Sequence, residues 1–444
     1  MSATVESLEG LKRRMMVEIP ADKVGQTFQD KLLKIASTAK VDGFRPGKVP
    51  LDVVQQRFGK SIMEEVAQEL IQTSFHEAVQ EHGLALAGMP DVAPEQLLVG
   101  QSLKYTAEFE VYPDIKLVEM AGATVTRHKA EVSDKNVADM IANLRKQQAE
   151  WTEADRAAQD GDQVIIDFDG FMGEEAFEGG AAKDFQLELG SKQMIPGFEE
   201  GVVGFKAGES TEVKVTFPEE YQAKELAGKE ANFKVTVKTV KEPKLPEITE
   251  EFAKKVGVEG GVDALESKVK GSMEEEVGRV LKARLKQQVL DKLLEFHTID
   301  VPESLIKMEI ENLQQVTKRQ MAGKFDEEQL KSLELPTEPY EKEALKRVQL
   351  GLLLGEVIRS NEMKAGDDKI REEVESIAAS YPNPEQVVNW YYQNEQMLKE
   401  VEAGIVEAQA VDKLLETLTI EEAVISYDEA IKQPEPDADE EGIA

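Results

Sequence analysis

The chain has 444 residues, too many for one ordinary domain and about right for three, and its 41% hydrophobic content is ample for folded cores. With 87 acidic against 53 basic residues the formal net charge is -34, so on average the chain is repelled by nucleic acid and by anionic membranes. It has no cysteine, which excludes a disulfide, a thiolate nucleophile and a Cys-ligated metal. The opening MSATVESLEGLKRR lacks the apolar core of a secretory signal, and no run approaches the roughly eighteen apolar residues of a membrane span, so a cytoplasmic protein is expected.

The first residues read as strand, turn and strand, with Val5 in the first strand, Glu9-Gly10 at the turn and residues 15–19 in the second. A helix is expected over residues 21–40, its apolar stripe carried by Val24, Phe28, Leu32, Ile35 and Ala39. Residues 41–50 end it. Gly43 and Gly47 allow backbone angles that other residues avoid, while Pro46 and Pro50 fix φ and bar helix just before them. A stiff projecting loop follows, carrying Phe44 beside Arg45 and Lys48, which suits docking onto a surface that is part protein and part phosphate. The plain alternative is an interhelix turn with Phe44 tucked into its own core.

Beyond Pro50 the pattern predicts a short helix through Val53 and Val54 and a longer one over 60–82. Residues 103–112 alternate as a strand, with Tyr105, Ala107, Phe109 and Val111 on one side. Two helices on a small sheet give an α+β domain over 1–113. Residues 114–150 form a patterned connector with a strand at 123–129 and a helix capped by Ser133 that buries Val137, Ile141 and Leu144. From 151 to 242, alternating segments at 163–168, 209–217 and 231–240 with glycine turns predict a compact β-rich domain. Residues 243–433 read as almost wholly helical to Leu418. In the helix over 262–296, Leu265, Val269, Met273, Val277, Leu281, Leu285, Val289 and Leu293 recur every fourth residue. That row drifts around the cylinder by about 40° each step. It cannot face one partner throughout, so this helix should meet different neighbours at its two ends. Helices around 305–316, 342–363, 370–379 and 385–418 follow, then a returning strand at 419–427 and an acidic, proline-bearing tail over 434–444 that is expected to be disordered.

The string Gly43-Phe44-Arg45-Pro46-Gly47-Lys48-Val49-Pro50 resembles the ribosome-docking signature of the bacterial trigger factor family, G-F-R-x-G-K-x-P, at every fixed position. The resemblance implies that Gly43, Phe44, Arg45, Gly47, Lys48 and Pro50 bind the large ribosomal subunit near the exit tunnel, touching protein and rRNA. Some members carry lysine where this chain has Pro46, so the docking charge rests on Arg45 and Lys48. A contact of that kind is steeply salt-sensitive.

In the β-rich stretch, DFDGFMGEEAFEGG, FQLELGSKQMIPGFEEGVVGFKAGE and FPEEY set aromatic and aliphatic residues among glycines, with no grouping of acid, base and nucleophile. The ordered set resembles the FK506-binding-protein (FKBP) class of peptidyl-prolyl isomerases, most specifically in LGSKQMIPGFEEGV. The resemblance implies that Phe168, Phe177, Phe185, Met194, Ile195, Phe198, Tyr221 and Phe233 wall a proline pocket. Phe198 stands where small members have tryptophan, and Glu178 where they have aspartate. Amide resonance sets the rotation barrier of about 18–20 kcal/mol. An apolar, water-poor slot favours the twisted amide over the planar one without proton transfer, so no cofactor or metal is called for. Taken singly, each Phe is better read as filling a small core; the ordered set is not.

Met273, Met308, Met321, Met363 and Met397 could line adaptable surfaces in the helical region, although each alone reads as packing. His76, His82, His128 and His297 lack metal-binding spacing, Glu199 and Glu200 read as solvated surface, Trp151 and Trp390 as boundary packing, and no phosphate-binding P-loop occurs. Over the whole chain, the trigger factor resemblance implies a multidomain α+β protein: an N-terminal α+β docking domain, a central FKBP-like antiparallel domain with a short helix, and a mainly helical chaperone domain with extended arms. The implied function is an ATP-independent chaperone that binds nascent chains, isomerises X-Pro bonds, assists folding and export, and dimerises when off the ribosome, with no membrane partner. Two alternatives stand beside it: a free cytosolic prolyl isomerase whose helices only oligomerise, and a holdase with a degenerate pocket.

Overall fold

The computed structural model describes residues 1–39, 44, 49–95, 100–173, 175–218, 221, 226–321, 329–330, 333 and 335–432, the side chains of Ala176 and Glu178 excepted. The expected tail at 434–444 lies outside these residues. The chain divides into two compact units, one of residues 1–127 and 283–423, the other of 128–282 and 424–432.

The first unit opens with β1 (Ser2–Ser7) and β2 (Lys12–Ile19) on either side of the expected turn, and ends its antiparallel sheet with β3 (Leu86–Pro94) and β4 (Leu103–Val111), in the order β1-β2-β4-β3. Met15 lies opposite Ala107 and Val17 opposite Tyr105, so the two central strands turn the same alternation inward. Against that face pack α1 (Ala21–Thr38) and α2 (Leu51–Glu81), burying Val24, Phe28, Leu32, Val54, Ile62, Val66 and Leu70. Each such side chain contributes about 1.5–3 kcal/mol by leaving water. Buried hydroxyls pair with each other: Ser74 Oγ and the Tyr105 phenol lie 2.8 Å apart.

Two expectations fail here. The two helices read after Pro50 are one, because Gly59 only weakens a helix and does not end it. Strand β3 was not anticipated, because Gly88, Pro90 and Pro94 look like loop punctuation. Its register jumps between Ala87 and Asp91, a bulge that Gly88 makes with φ +92°. A Cβ on Gly88 would stand 2.7 Å from the Cβ of Ser304. Ser304 instead donates its hydroxyl to the Ala87 carbonyl at 2.6 Å and its N–H to the Glu110 carboxylate at 2.8 Å.

Helices α6 (Val262–Phe296), α7 (Glu303–Met321), α8 (Glu338–Ser360), α9 (Asp367–Ala378), α10 (Pro384–Gln393) and α11 (Glu395–Leu415) follow the expected order. The single helix expected over 385–418 is two. Asn394 is extended (φ -114°, ψ 96°), and no side chain of α10 is buried to hold it in line with α11. Met120, Ala123 and, on the expected connector strand β5 (Thr124–Lys129), Val125 join Val289, Leu293, Leu353, Val357 and Val411 in one core. His297 is buried beside that core, accepting the Val118 N–H on Nε2 at 2.8 Å and donating from Nδ1 to the Leu293 carbonyl at 2.8 Å.

In the second unit, β10 (Glu230–Lys244) pairs with β7 (Gln163–Met172), β9 (Ser210–Thr216) and β6 (Glu150–Glu153), while β8 (Glu175–Glu188) pairs with β7. Every pairing is antiparallel. A second core joins α3 (Asp134–Gln147), with the expected Ser133 N-cap completed by Asn136 into a capping box, to α5 (Glu250–Lys255), the first half of α6 and α12 (Tyr427–Ile431). The drifting stripe of α6 behaves as its spacing requires. Leu265, Val269, Met273 and Val277 are buried with Val137, Ile141 and Phe252, and Val289 and Leu293 with a different set. Met273 is therefore core. Among the described residues, no helix is long and apolar enough to cross a membrane.

Candidate functional site

The β-rich domain concentrates aromatic rings at one place because strand alternation brings them there. On β7, Val164, Ile166 and Phe168 face inward; on β10, Phe233, Val235 and Val237 do; on β9, Val213 and Val215 do, with Phe217 just beyond. Helix α4 (Phe198–Val202), entered through Gly197 at φ +89°, adds Phe198 and Val202 to the same core. The Phe168 ring meets those of Phe185 at 5.7 Å, Phe198 at 5.6 Å and Phe233 at 6.0 Å. Phe198 meets Phe233 at 5.2 Å, Phe233 meets Phe177 at 5.8 Å, and Phe177 meets Phe217 at 6.0 Å. Tyr221 closes the series at 4.7 Å from Phe217. All but the last are edge-to-face contacts, each contributing about 0.5–1.5 kcal/mol beyond burial.

Every aromatic that the sequence assigned to the pocket thus belongs to one continuous set, and Met194 and Ile195 pack half-buried against the core that contains Phe168, Phe198, Phe217 and Phe233. Phe198, Phe168 and Phe233 are buried, whereas Phe185 and Tyr221 are each 37% exposed. The sequence reading missed Phe217, although it lies in phase with Val213 and Val215, and that phase was the available signal. The side chain of Glu178 lies outside the described residues.

Two glycines make room for the rings. A Cβ on Gly170 would come within 2.7 Å of the Phe233 ring and 2.8 Å of the Phe177 ring; one on Gly180 would come within 2.7 Å of Phe177. A bulge aims Phe185: it lies opposite Ile166, yet Ala182 is already opposite Phe168, so one residue is extra and Asp184 takes φ +55°. The Asp184 N–H donates to Asp167 at 2.8 Å, and Lys238 Nζ bridges Asp167 at 2.9 Å and Asp184 at 2.7 Å. Lys238 and the Asp184 amide hold the Asp167 carboxyl below its usual range.

Glu199 departs most from its reading. It is buried, not solvated, and accepts hydrogen bonds from the N–H groups of Gly190, Lys192 and Met194 and from the Ser191 hydroxyl. Burial alone would push its carboxyl up, but the amides of Met194, Lys192 and Gly190 together outweigh that and hold it below the ordinary glutamate range. Arg156 is paired with Asp162 at 2.6 Å and Glu242 at 3.1 Å. The charged groups of this domain whose protonation is displaced are thus bound to opposite charges or backbone amides.

In the first unit, Pro50 caps α2 by accepting the N–H groups of Val53 and Val54, Val49 is buried, and Ala39 closes α1 onto Ile35. Both stems of the expected docking loop are therefore fixed. Phe44 between them is 41% exposed and not tucked into the core. Gly43, Arg45, Pro46, Gly47 and Lys48 lie outside the described residues. Trp390, read as packing, is instead half-exposed on α10 beside Tyr391, at a groove of about 410 Å³ lined with Tyr381, Pro382 and Val387.

Residues 1–144 match the family described as "Bacterial trigger factor protein (TF)", residues 154–238 match "FKBP-type peptidyl-prolyl cis-trans isomerase", and residues 261–416 match "Bacterial trigger factor protein (TF) C-terminus". The chain is similar to the trigger factor of Coxiella burnetii (strain CbuG_Q212), 48% identical over 433 residues that cover 97% of this chain and 98% of that one. It is 42% identical to the trigger factor of Teredinibacter turnerae over 441 residues, 99% of this chain and all of that one. A solved structure titled "Promiscuous Substrate Recognition in Folding and Assembly Activities of the Trigger Factor Chaperone" aligns over 94% of this chain and 99% of its own, at 18% identity and a TM-score of 0.49.

Proposed function

The chain belongs to the bacterial trigger factor family, a chaperone with a ribosome-binding N-terminal domain and an FKBP-type peptidyl-prolyl isomerase domain, and from that premise we propose how its residues share the work. The free-isomerase alternative is not favoured, since relatives match from end to end. We divide the work among residues 1–113 for docking, 114–150 as connector, 151–242 for isomerisation and 243–433 for holding unfolded chains, with 434–444 as a tail.

The isomerase pocket is formed by Phe168, Phe177, Phe185, Met194, Ile195, Phe198, Tyr221 and Phe233, and Glu178 is added to it on the family resemblance alone. The interlocked ring set supports this most directly, because it offers a proline ring a fixed apolar seat. An X-Pro amide loses resonance, and much of its dipole, as it twists. In water the planar amide is better solvated; against the rings that advantage falls away and the barrier drops. Uncatalysed isomerisation takes roughly 10–100 s, slow enough to stall a folding chain.

Phe44, Arg45 and Lys48, held by Gly43, Gly47 and Pro50, dock the protein on the large ribosomal subunit near the exit tunnel. The exposure of Phe44 between fixed stems supports this assignment. Nascent and unfolded segments are held by the helical region, where Met308, Val316, Tyr381, Trp390 and Tyr392 are exposed. The protein works in the cytoplasm, assists folding and export, and self-associates to a dimer when off the ribosome. Two assays test the reading. Phe198→Leu should lower turnover of a proline tetrapeptide about tenfold or more, and unchanged turnover refutes the pocket. Replacing Phe44, Arg45 and Lys48 together by Ala should abolish salt-sensitive co-pelleting with ribosomes and leave isomerase activity intact; retained co-pelleting refutes the docking role.

A further inference from the structure

Glu199 follows Phe198 in the first turn of a helix only five residues long, and it is 6% exposed. Its carboxylate is used completely. Oε2 accepts the N–H of Gly190 at 2.8 Å and of Lys192 at 3.1 Å, while Oε1 accepts the N–H of Met194 at 3.2 Å and the Ser191 hydroxyl at 3.3 Å. All these donors belong to one segment, residues 190–194, which has no strand or helix to hold it. The segment is also bent sharply, with Gly190 at φ +88° and Lys192 at φ +56°, a conformation that a non-glycine residue adopts only when its surroundings impose it. It leads into Met194 and Ile195, which pack half-buried against the core that holds Phe168, Phe198 and Phe233.

We propose that Glu199 is the positioning residue of the isomerase pocket. It gathers the amides of Gly190, Lys192 and Met194 onto one carboxylate and so fixes the wall on which Met194 and Ile195 stand. Phe198, beside it in sequence, supplies the floor, so the first turn of this short helix sets both floor and wall and with them the width of the slot that grips the twisting X-Pro unit. The inference rests on the isomerase reading of the ring set.

A carboxylate suits this place for a reason that an amide cannot match. Its two oxygens accept from four donors at once, whereas glutamine keeps the shape but replaces one acceptor oxygen with an NH₂ that faces donors. A buried donor left without an acceptor is costly, and the cheapest escape is for the segment to move outward, carrying Met194 and Ile195 away from the rings.

The test compares full-length variants at a temperature where circular dichroism shows them folded. Glu199→Gln should lower kcat/KM for a proline tetrapeptide about tenfold, most of it in KM, and amide exchange at Gly190, Lys192 and Met194 should quicken while β9 stays protected. Glu199→Asp keeps both oxygens on a shorter arm and should recover part of the activity. Phe198→Leu is measured alongside. Turnover lost in Phe198→Leu but unchanged in a folded Glu199→Gln, with exchange also unchanged, overturns the positioning role and leaves the pocket standing. Turnover kept by Phe198→Leu overturns the pocket and this inference with it. Should Glu199→Gln fail to fold, Ser191→Ala decides, since it removes one of the bonds. A roughly twofold rise in KM with faster exchange at 190–194 supports the role, and an unchanged KM overturns it.

Discussion

The chain carries two concentrations of aromatic side chains, built in opposite ways. In the β-rich domain, Phe168, Phe198 and Phe233 are buried and touch one another edge to face, and Gly170 leaves Phe233 space that a Cβ would fill. On α10, Trp390 and Tyr392 stand about half-exposed on a helix that buries no side chain at all. The difference is one of preorganisation. A slot that must favour one transition-state shape needs rings locked by their neighbours, whereas a surface that meets many sequences gains from side chains free to repack. Fixed rings suit catalysis; loosely held ones suit holding.

The sharpest way to break that contrast is to empty the locked set. Phe198→Ala removes the fully buried ring at its centre and should destabilise the β-rich domain by about 3–5 kcal/mol, read from denaturant unfolding of that domain. A loss below about 1 kcal/mol would show that the rings are not a packed unit. Adding atoms should hurt less. Gly170→Ala places a methyl against Phe233 and Phe177 and should cost about 1–3 kcal/mol, with a matching fall in isomerase turnover; a neutral result would mean that the rings yield freely.

A pH titration sharpens the comparison from the polar side. The folded pKa of Glu199 is depressed, so its contribution to stability is fully present above the unfolded value of about 4.3 and is lost as pH falls through the folded one. The melting temperature should therefore fall more steeply below about pH 5 in the parent chain than in Glu199→Gln. Parallel curves would show that the carboxylate is not held as described. Asp167 is also depressed, so only the difference between the two chains isolates Glu199. The smallest effect on stability is expected on α10. Trp390→Ala should change it by no more than about 0.5 kcal/mol while reducing suppression of aggregation.

Much of this arrangement was legible in the residues. Strict alternation in Leu103–Val111 and the fourfold spacing in α6 gave the inward face of one and the divided neighbours of the other, because both depend only on backbone periodicity. The ring set was legible through resemblance and order. What escaped depended on tertiary context. Gly59 sits in a continuous helix because flanking apolar residues bury it on the sheet, and β3 pairs despite its prolines because Gly88 and Ser304 absorb the bulge. Glu199 looked like surface because a charged pair of glutamates normally is. Its burial became visible only in the structure, where the amides of Gly190, Lys192 and Met194 converge on it.

The central claim, that locked and loose aromatics do separate jobs, is tested most directly by measuring both activities in two folded variants, Phe198→Leu and Trp390→Ala. The account predicts that the first loses proline isomerisation and keeps suppression of aggregation, and that the second does the reverse. Equal loss of both activities in either variant would contradict it.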